Sequence, residues 1–117
     1  MSKTLHGTVT VTLGDEEITL KPTLKAALAI ERQFGGLTNA YRAIGSSSIE
    51  QIAFVIQAGA GMGTKREITE SVQEKVFAAG VVNVGPQCVA YISALLNPAA
   101  KPEGEDGEDA EGNAQQA

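Results

Sequence analysis

Two short stretches near the N-terminus alternate between apolar and polar residues. Thr8-Val-Thr-Val-Thr-Leu13 places Val9, Val11 and Leu13 on one side, the period-2 pattern of a strand with one buried face. Gly14-Asp15 supplies turn chemistry, and Glu17-Ile18-Thr19-Leu20 alternates again, with Ile18 and Leu20 inward. The pair predicts a β-hairpin. A lone hairpin is marginal in water, so its apolar face needs cover from the rest of the chain.

After Leu20 the period becomes helical. Thr23 is placed to cap a helix over Leu24–Phe34, with Leu24, Ala27, Leu28 and Phe34 on its stripe and Ile30 at the flank. Gly35-Gly36 stops it, because glycine accepts the left-handed conformation at a helix end. A second helix over Leu37–Ile44 would use Leu37, Tyr41 and Ile44. Ser48-Ile-Glu-Gln51 has the spacing of a capping box. It opens a third helix to about Ala60 that buries Ile49, Ile52, Ala53 and Ile56.

Gly59-Ala-Gly-Met-Gly63 reads as a flexible connector. Thr69 is placed to cap a fourth helix, with Val72, Val76 and Phe77 inward and Gly80 at its end. Gly85-Pro86 predicts the start of a fifth, since proline suits the first helical position. Val89, Ile92, Leu95 and Leu96 form its stripe, and Asn97-Pro98 ends it. No segment repeats, which excludes a solenoid. Helices this short do not persist alone. The expectation is an α+β fold in one compact domain over residues 1–98, a short N-terminal hairpin packed on about five short helices.

Composition changes the picture at the C-terminus. Aromatics are 4% of the chain and Trp is absent, so the core is built from Ala, Val, Ile and Leu and is small. Ala99 to Ala117 has no Val, Ile, Leu or aromatic residue. With nothing to bury, it is expected to be disordered. From Lys101 onward it carries one base and six acids, while the preceding residues balance eight bases against eight acids. The net charge of −5 therefore belongs to the tail. A basic nucleic-acid footprint is missing, so no nucleic-acid partner is expected. No apolar run reaches the roughly 18 residues that cross a bilayer. The first residues lack the apolar stretch of a signal peptide, and the lone Cys88 has no partner for an internal disulfide. These features point to a cytoplasmic setting without a membrane partner.

Each candidate for chemistry has a plainer reading. His6 precedes the first strand with no nucleophile or carboxylate motif beside it and reads as an exposed end residue. Cys88 near a helix start invites an activated thiol, but one histidine in the chain leaves it as a small core side chain. The Gly59–Gly63 segment followed by Thr64-Lys65 reverses the Gly-Lys-Thr order of a phosphate loop and follows a helix instead of a strand. An interhelical hinge accounts for it. Glu70 and Glu74 are four residues apart on one helix and mildly repel there, as a solvated face. Glu31 falls beside the first helix's stripe, where pairing with a base across the fold is the reading preferred over catalysis. The acidic tail lacks the rigid spacing of a calcium loop. Neither a catalytic group nor a cofactor is expected.

The order of landmarks says more than any one of them. A Gly-Thr-Val-Thr-Val-Thr-Leu-Gly-Asp strand and turn is followed by a helix reading Ala29-Ile30-Glu31-Arg32-Gln33-Phe34-Gly35-Gly36-Leu37. Then come Ile49-Glu-Gln-Ile-Ala-Phe-Val-Ile-Gln-Ala-Gly59, a Thr-Glu-led helix ending at Gly80, and a last apolar helix. This resembles the small tail-assembly proteins of long-tailed phages and phage-derived gene transfer agents, described as tail assembly chaperones or as tail tube proteins. The similarity spans Gly7 to Asn97, with the Ile30-Glu31 to Phe34-Gly35-Gly36 block most specific. It implies a non-enzymatic chaperone that binds the helical tape-measure protein, keeps it soluble and helps recruit tail tube protein. Short helices with glycine joints suit an apolar groove for a partner helix, and the acidic tail suits a solubilising role.

A tail tube subunit is the structural alternative, but a tube needs sheet that continues between subunits, and only one hairpin is predicted. A regulatory or antitoxin-like binding module would be expected to carry a basic reading helix. A homo-oligomer stays open. The expected partner-binding side chains, on the last three helices, are Ile52, Ile56, Val76, Phe77, Ile92 and Leu95; taken singly, each also fits a core position.

Overall fold

The computed structural model describes residues 7–99. His6 and the acidic segment from residue 100 onward lie outside the described residues. The alternating pattern forms the hairpin as expected. Strands β1 (Val9–Leu13) and β2 (Glu16–Leu20) pair antiparallel, with Val11 opposite Ile18 and Val9 opposite Leu20. Gly14 turns the chain at φ +69°, where a side chain would be strained. Val11, Leu13, Ile18 and Leu20 are buried on one face.

Five helices follow: α1 (Leu24–Phe34), α2 (Leu37–Ile44), α3 (Ile49–Ala60), α4 (Arg66–Ala79) and α5 (Val81–Leu96). The fold is α+β. Two hydroxyl caps form where the sequence predicts them. The Thr23 hydroxyl accepts from the Ala26 N–H at 3.1 Å, and the Ser48 hydroxyl accepts from the Gln51 N–H at 3.3 Å. Gly35 closes α1 in the left-handed region at φ +78°.

α3 is the central element. It packs against β2, α1, α4 and α5, while α5 also covers β1 and α2. Ile52, Ala53, Val55 and Ile56 of α3 share one hydrophobic core with the hairpin face and with Ile30, Ile44, Val76, Cys88, Tyr91 and Ile92. Both outer edges of the hairpin meet helical residues. Gln87 of α5 clasps β1, its Oε1 accepting from the Thr12 N–H at 2.9 Å while its Nε2 faces the Thr12 carbonyl at 3.5 Å. On the other side the Lys21 N–H donates to the Gly59 carbonyl of α3 at 3.0 Å.

Several expected faces are rotated. Ile30, expected at the flank of α1, is fully buried with Ala26, whereas Leu24 is 73% exposed. Leu24 is the first helical residue, and Cα–Cβ bonds tilt toward the helix N-terminus, so its side chain points past the end of the packed face. On α2 the buried positions are Ala40 and Ile44, leaving Tyr41 exposed.

α4 begins three residues before Thr69, after Lys65, which makes no side-chain cap. Thr69 lies inside the first turns, and its hydroxyl accepts from Gln57 instead. Ile68, Val72, Val76 and Ala79 form the inward stripe. Phe77 is one residue, about 100°, beyond Val76 and faces solvent.

α5 begins at Val81, not at Gly85-Pro86, so Pro86 lies within the helix. Proline there removes one N–H donor, the one that would reach the Val82 carbonyl. Burial of Val84 and Gly85 favours the extra turn; a Cβ on Gly85 would make ordinary contact with Ile52 Cδ1 at 3.7 Å. Leu96, next round the helix from buried Leu95, is exposed. Gly80 at φ +95° forms the entire corner between α4 and α5, a bend of 116°.

Candidate partner-binding surface

The structure separates the six side chains expected to bind a partner. Ile52, Ile56, Val76 and Ile92 are fully buried, and Leu95 nearly so. They build the core and present no surface. The sequence pattern marks them as apolar and inward without telling core from groove. Phe77, at 72% exposure, is the one that reaches solvent, with Val82 exposed at 75% across the Gly80 corner.

A groove of about 540 Å³ opens elsewhere, between the β2–α1 corner and the C-terminal end of α3. Its apolar walls come from Ala26, Ala29, Phe54, Ala58, Ala60 and Met62, and its rim carries Lys21 and Lys25. The small side chains make it. Alanines at positions 26, 29 and 58 leave space between α1 and α3 that larger residues would fill. No carboxylate lines it, and neither lysine takes part in the ion pairs of the described residues, Arg66–Glu70 and Lys75–Glu16. A second, shallower depression of about 400 Å³ lies beyond Met62, between Glu67, Ile68, Ser71, Val72 and Lys75.

The groove's far wall is the Gly61–Thr64 connector, whose glycines predict a loose segment. Gly59 and Ala60 are in fact the last residues of α3, and Gly61 caps it at φ +69°. Gln57, only 3% exposed, then pins the connector: its Nε2 donates to the Gly63 carbonyl at 3.0 Å and to Thr69 Oγ1 at 2.8 Å. One buried amide fixes wall and start of α4 together. Gly59 brings β2 and α5 close, because a Cβ there would lie 2.9 Å from Leu20 Cβ and 3.0 Å from the Tyr91 ring. The buried Tyr91 hydroxyl donates to the Lys21 carbonyl, tying α5 to the groove's rim.

The remaining candidates for chemistry stay apart. Cys88 is fully buried, and desolvation pushes its thiol up to about 12, away from a reactive thiolate. Burial raises the Tyr91 hydroxyl to about 12 by the same cause. Glu31 is exposed and joins neither ion pair of the described residues; its carbonyl, not its carboxylate, is used, accepting from the Gly35 and Gly36 N–H groups. Glu70 pairs with Arg66 at 3.5 Å on an open helical face, an arrangement worth little. Among the described residues, no three His, Cys, Asp or Glu gather to hold a metal, and no single helix is long and apolar enough to cross a membrane. What the groove can do is receive apolar side chains and hold a carboxylate at its rim.

The sequence signal for this groove is slight. Paired small residues on α1 and α3 and a glycine-rich exit from α3 are compatible with tight packing as readily as with a cleft. No family model matches the chain, and no curated protein or solved structure matches it either.

Proposed function

We propose that the protein is a phage-type tail assembly chaperone, which receives a helical segment of a tape-measure protein in the groove between α1 and α3 and assists assembly of tail tube protein. The groove carries the reading: about 540 Å³, walled by Phe54, Met62 and alanines, on a chain whose thiol is buried and inert. That volume suits a few apolar side chains, and an amphipathic helix laid into a groove presents them at i, i+3 and i+4. The landmark order of the sequence resembles that of the family, and the half-buried Ala29, Phe54, Ala58 and Met62 take the place of the buried side chains first expected to bind. The setting proposed is the host cytoplasm during assembly.

Co-expression tests it. The full chain should raise the soluble yield of tape-measure protein, and Ala29→Glu or Met62→Glu should abolish the gain while keeping a cooperative unfolding transition. An unchanged yield with the native chain would count against the proposal.

The tube-subunit alternative needs hairpin edges that can add strands. Gln87 clasps the outer edge of β1, and α3 flanks the end of β2, the kind of cover that discourages edge-to-edge pairing. This supports the chaperone over the tube. Electron micrographs of the purified protein showing rings or tubes would reverse that order.

A further inference from the structure

We infer that the acidic segment Glu103–Glu111 docks in cis on the Lys21–Lys25 rim of the α1–α3 groove, where it competes with incoming carboxylate-bearing partners. The contact itself rests on charge and chain connectivity, whereas its role as a competitor rests on the partner-binding reading.

Lys21 and Lys25 stand on a groove that no carboxylate lines, and the ion pairs of the described residues engage Arg66 and Lys75 instead. The acids without a counterpart in the sequence are Glu103, Glu105, Asp106, Glu108, Asp109 and Glu111, which hold the whole net charge of −5 together with Lys101. The chain's one block of uncompensated negative charge and this bare basic rim are complementary.

The C-terminal half of α5 is built against the rim. Tyr91 donates to the Lys21 carbonyl, and a Cβ on Gly7 would meet Ala94 Cβ at 2.8 Å and Pro22 Cβ at 3.3 Å. Ala94 thus lies beside the β2–α1 corner, and the described chain ends five residues later at Ala99. The first acid follows only four residues beyond that, at Glu103. Each residue adds at most roughly 3.5 Å of reach, so the acids lie within range of the rim without crossing the molecule. Tethering of this kind gives millimolar-range effective concentrations, which compensates for the weakness of individual exposed ion pairs.

A nitroxide on Ala110→Cys of the full chain tests the contact without any partner. Cys88 is buried with its thiol held protonated, so the new cysteine takes the label. At an ionic strength of about 20 mM, amide signals of Lys21, Lys25 and Gly61 to Thr64 should lose roughly half their intensity or more. They should recover at about 500 mM, where screening shortens the Debye length to a few Å. The double variant K21Q/K25Q, at two exposed positions, should recover them at low salt as well.

Undiminished signals at low salt would overturn the inference, as would broadening centred on Arg32 or Arg42, or broadening that survives K21Q/K25Q. Equal broadening of an isotope-labelled chain mixed with a separate nitroxide-labelled one would replace the cis contact with one between copies. Cis docking with no effect of the native chain on tape-measure solubility would leave the contact standing and remove the chaperone reading together with the competitor role.

Discussion

Gln57 and Gly59, two residues apart at the C-terminal end of α3, do opposite jobs at one place. Gln57 fills space with a polar group that is buried and used twice, at Gly63 and Thr69. Gln57→Leu keeps the volume but strands those acceptors, and should cost about 1–2 kcal/mol of stability in urea unfolding. Gly59 must be empty. Gly59→Ala gains about 1 kcal/mol in helix propensity but drives a methyl into Leu20 and Tyr91. Overpacking of about 1–3 kcal/mol outweighs that gain, so the variant should unfold at lower denaturant than the native chain. Cys88 sets a pH dependence. Its thiol ionises near 9 in the unfolded chain but only at about 12 when buried, so below pH 9 it contributes no slope. Above pH 9 the unfolded state sheds the proton first, and stability should fall by about 1.4 kcal/mol per pH unit until about pH 12. Tyr91 adds a like loss from its usual 10 up to about 12. Cys88→Ala should flatten the profile between pH 9 and 10, measured by denaturation at each pH.

At the scale of elements, local chemistry sets where α1 and α3 begin, and packing sets where α4 and α5 begin. Thr23 and Ser48 each satisfy a helix N–H that would otherwise lack a partner. Thr23→Ala and Ser48→Ala should each cost about 1 kcal/mol, read as a lowered unfolding midpoint with an unchanged denaturant slope. α4 and α5 start at residues with no side-chain cap. Their first turns are held by packing of the half-buried Ile68 against the core on one and by burial of Val84 and Gly85 on the other. Thr69 and Gly85-Pro86 carry the right chemistry for helix starts, yet both lie inside helices, because a turn of apolar contact outweighs one cap or one missing N–H. Turn signals with no competing burial stand where elements end: Gly14-Asp15, Gly35 and Gly80.

For the whole molecule, the division between core and surface decides which apolar residues can serve a partner. Ile56→Ala opens a cavity in the shared core and should cost about 2–5 kcal/mol. Phe77→Ser, on the open side of α4, should leave the unfolding midpoint within about 0.5 kcal/mol of native. Comparable losses for both would show that Phe77 is covered in solution. The sequence by itself determined the hairpin with its buried face, the five helices in order and the segregation of charge into the C-terminal segment. Each follows from short-range rules: side-chain period, glycine and proline stereochemistry, and composition. Tertiary structure alone decided which of two adjacent apolar residues on a helix turns inward, as with Val76 and Phe77 or Leu95 and Leu96. It also decided that alanines on α1 and α3 leave a groove and that a glutamine pins its wall. Those outcomes depend on how elements distant in the chain meet, and a one-residue step of about 100° around a helix is finer than a hydrophobic period can resolve.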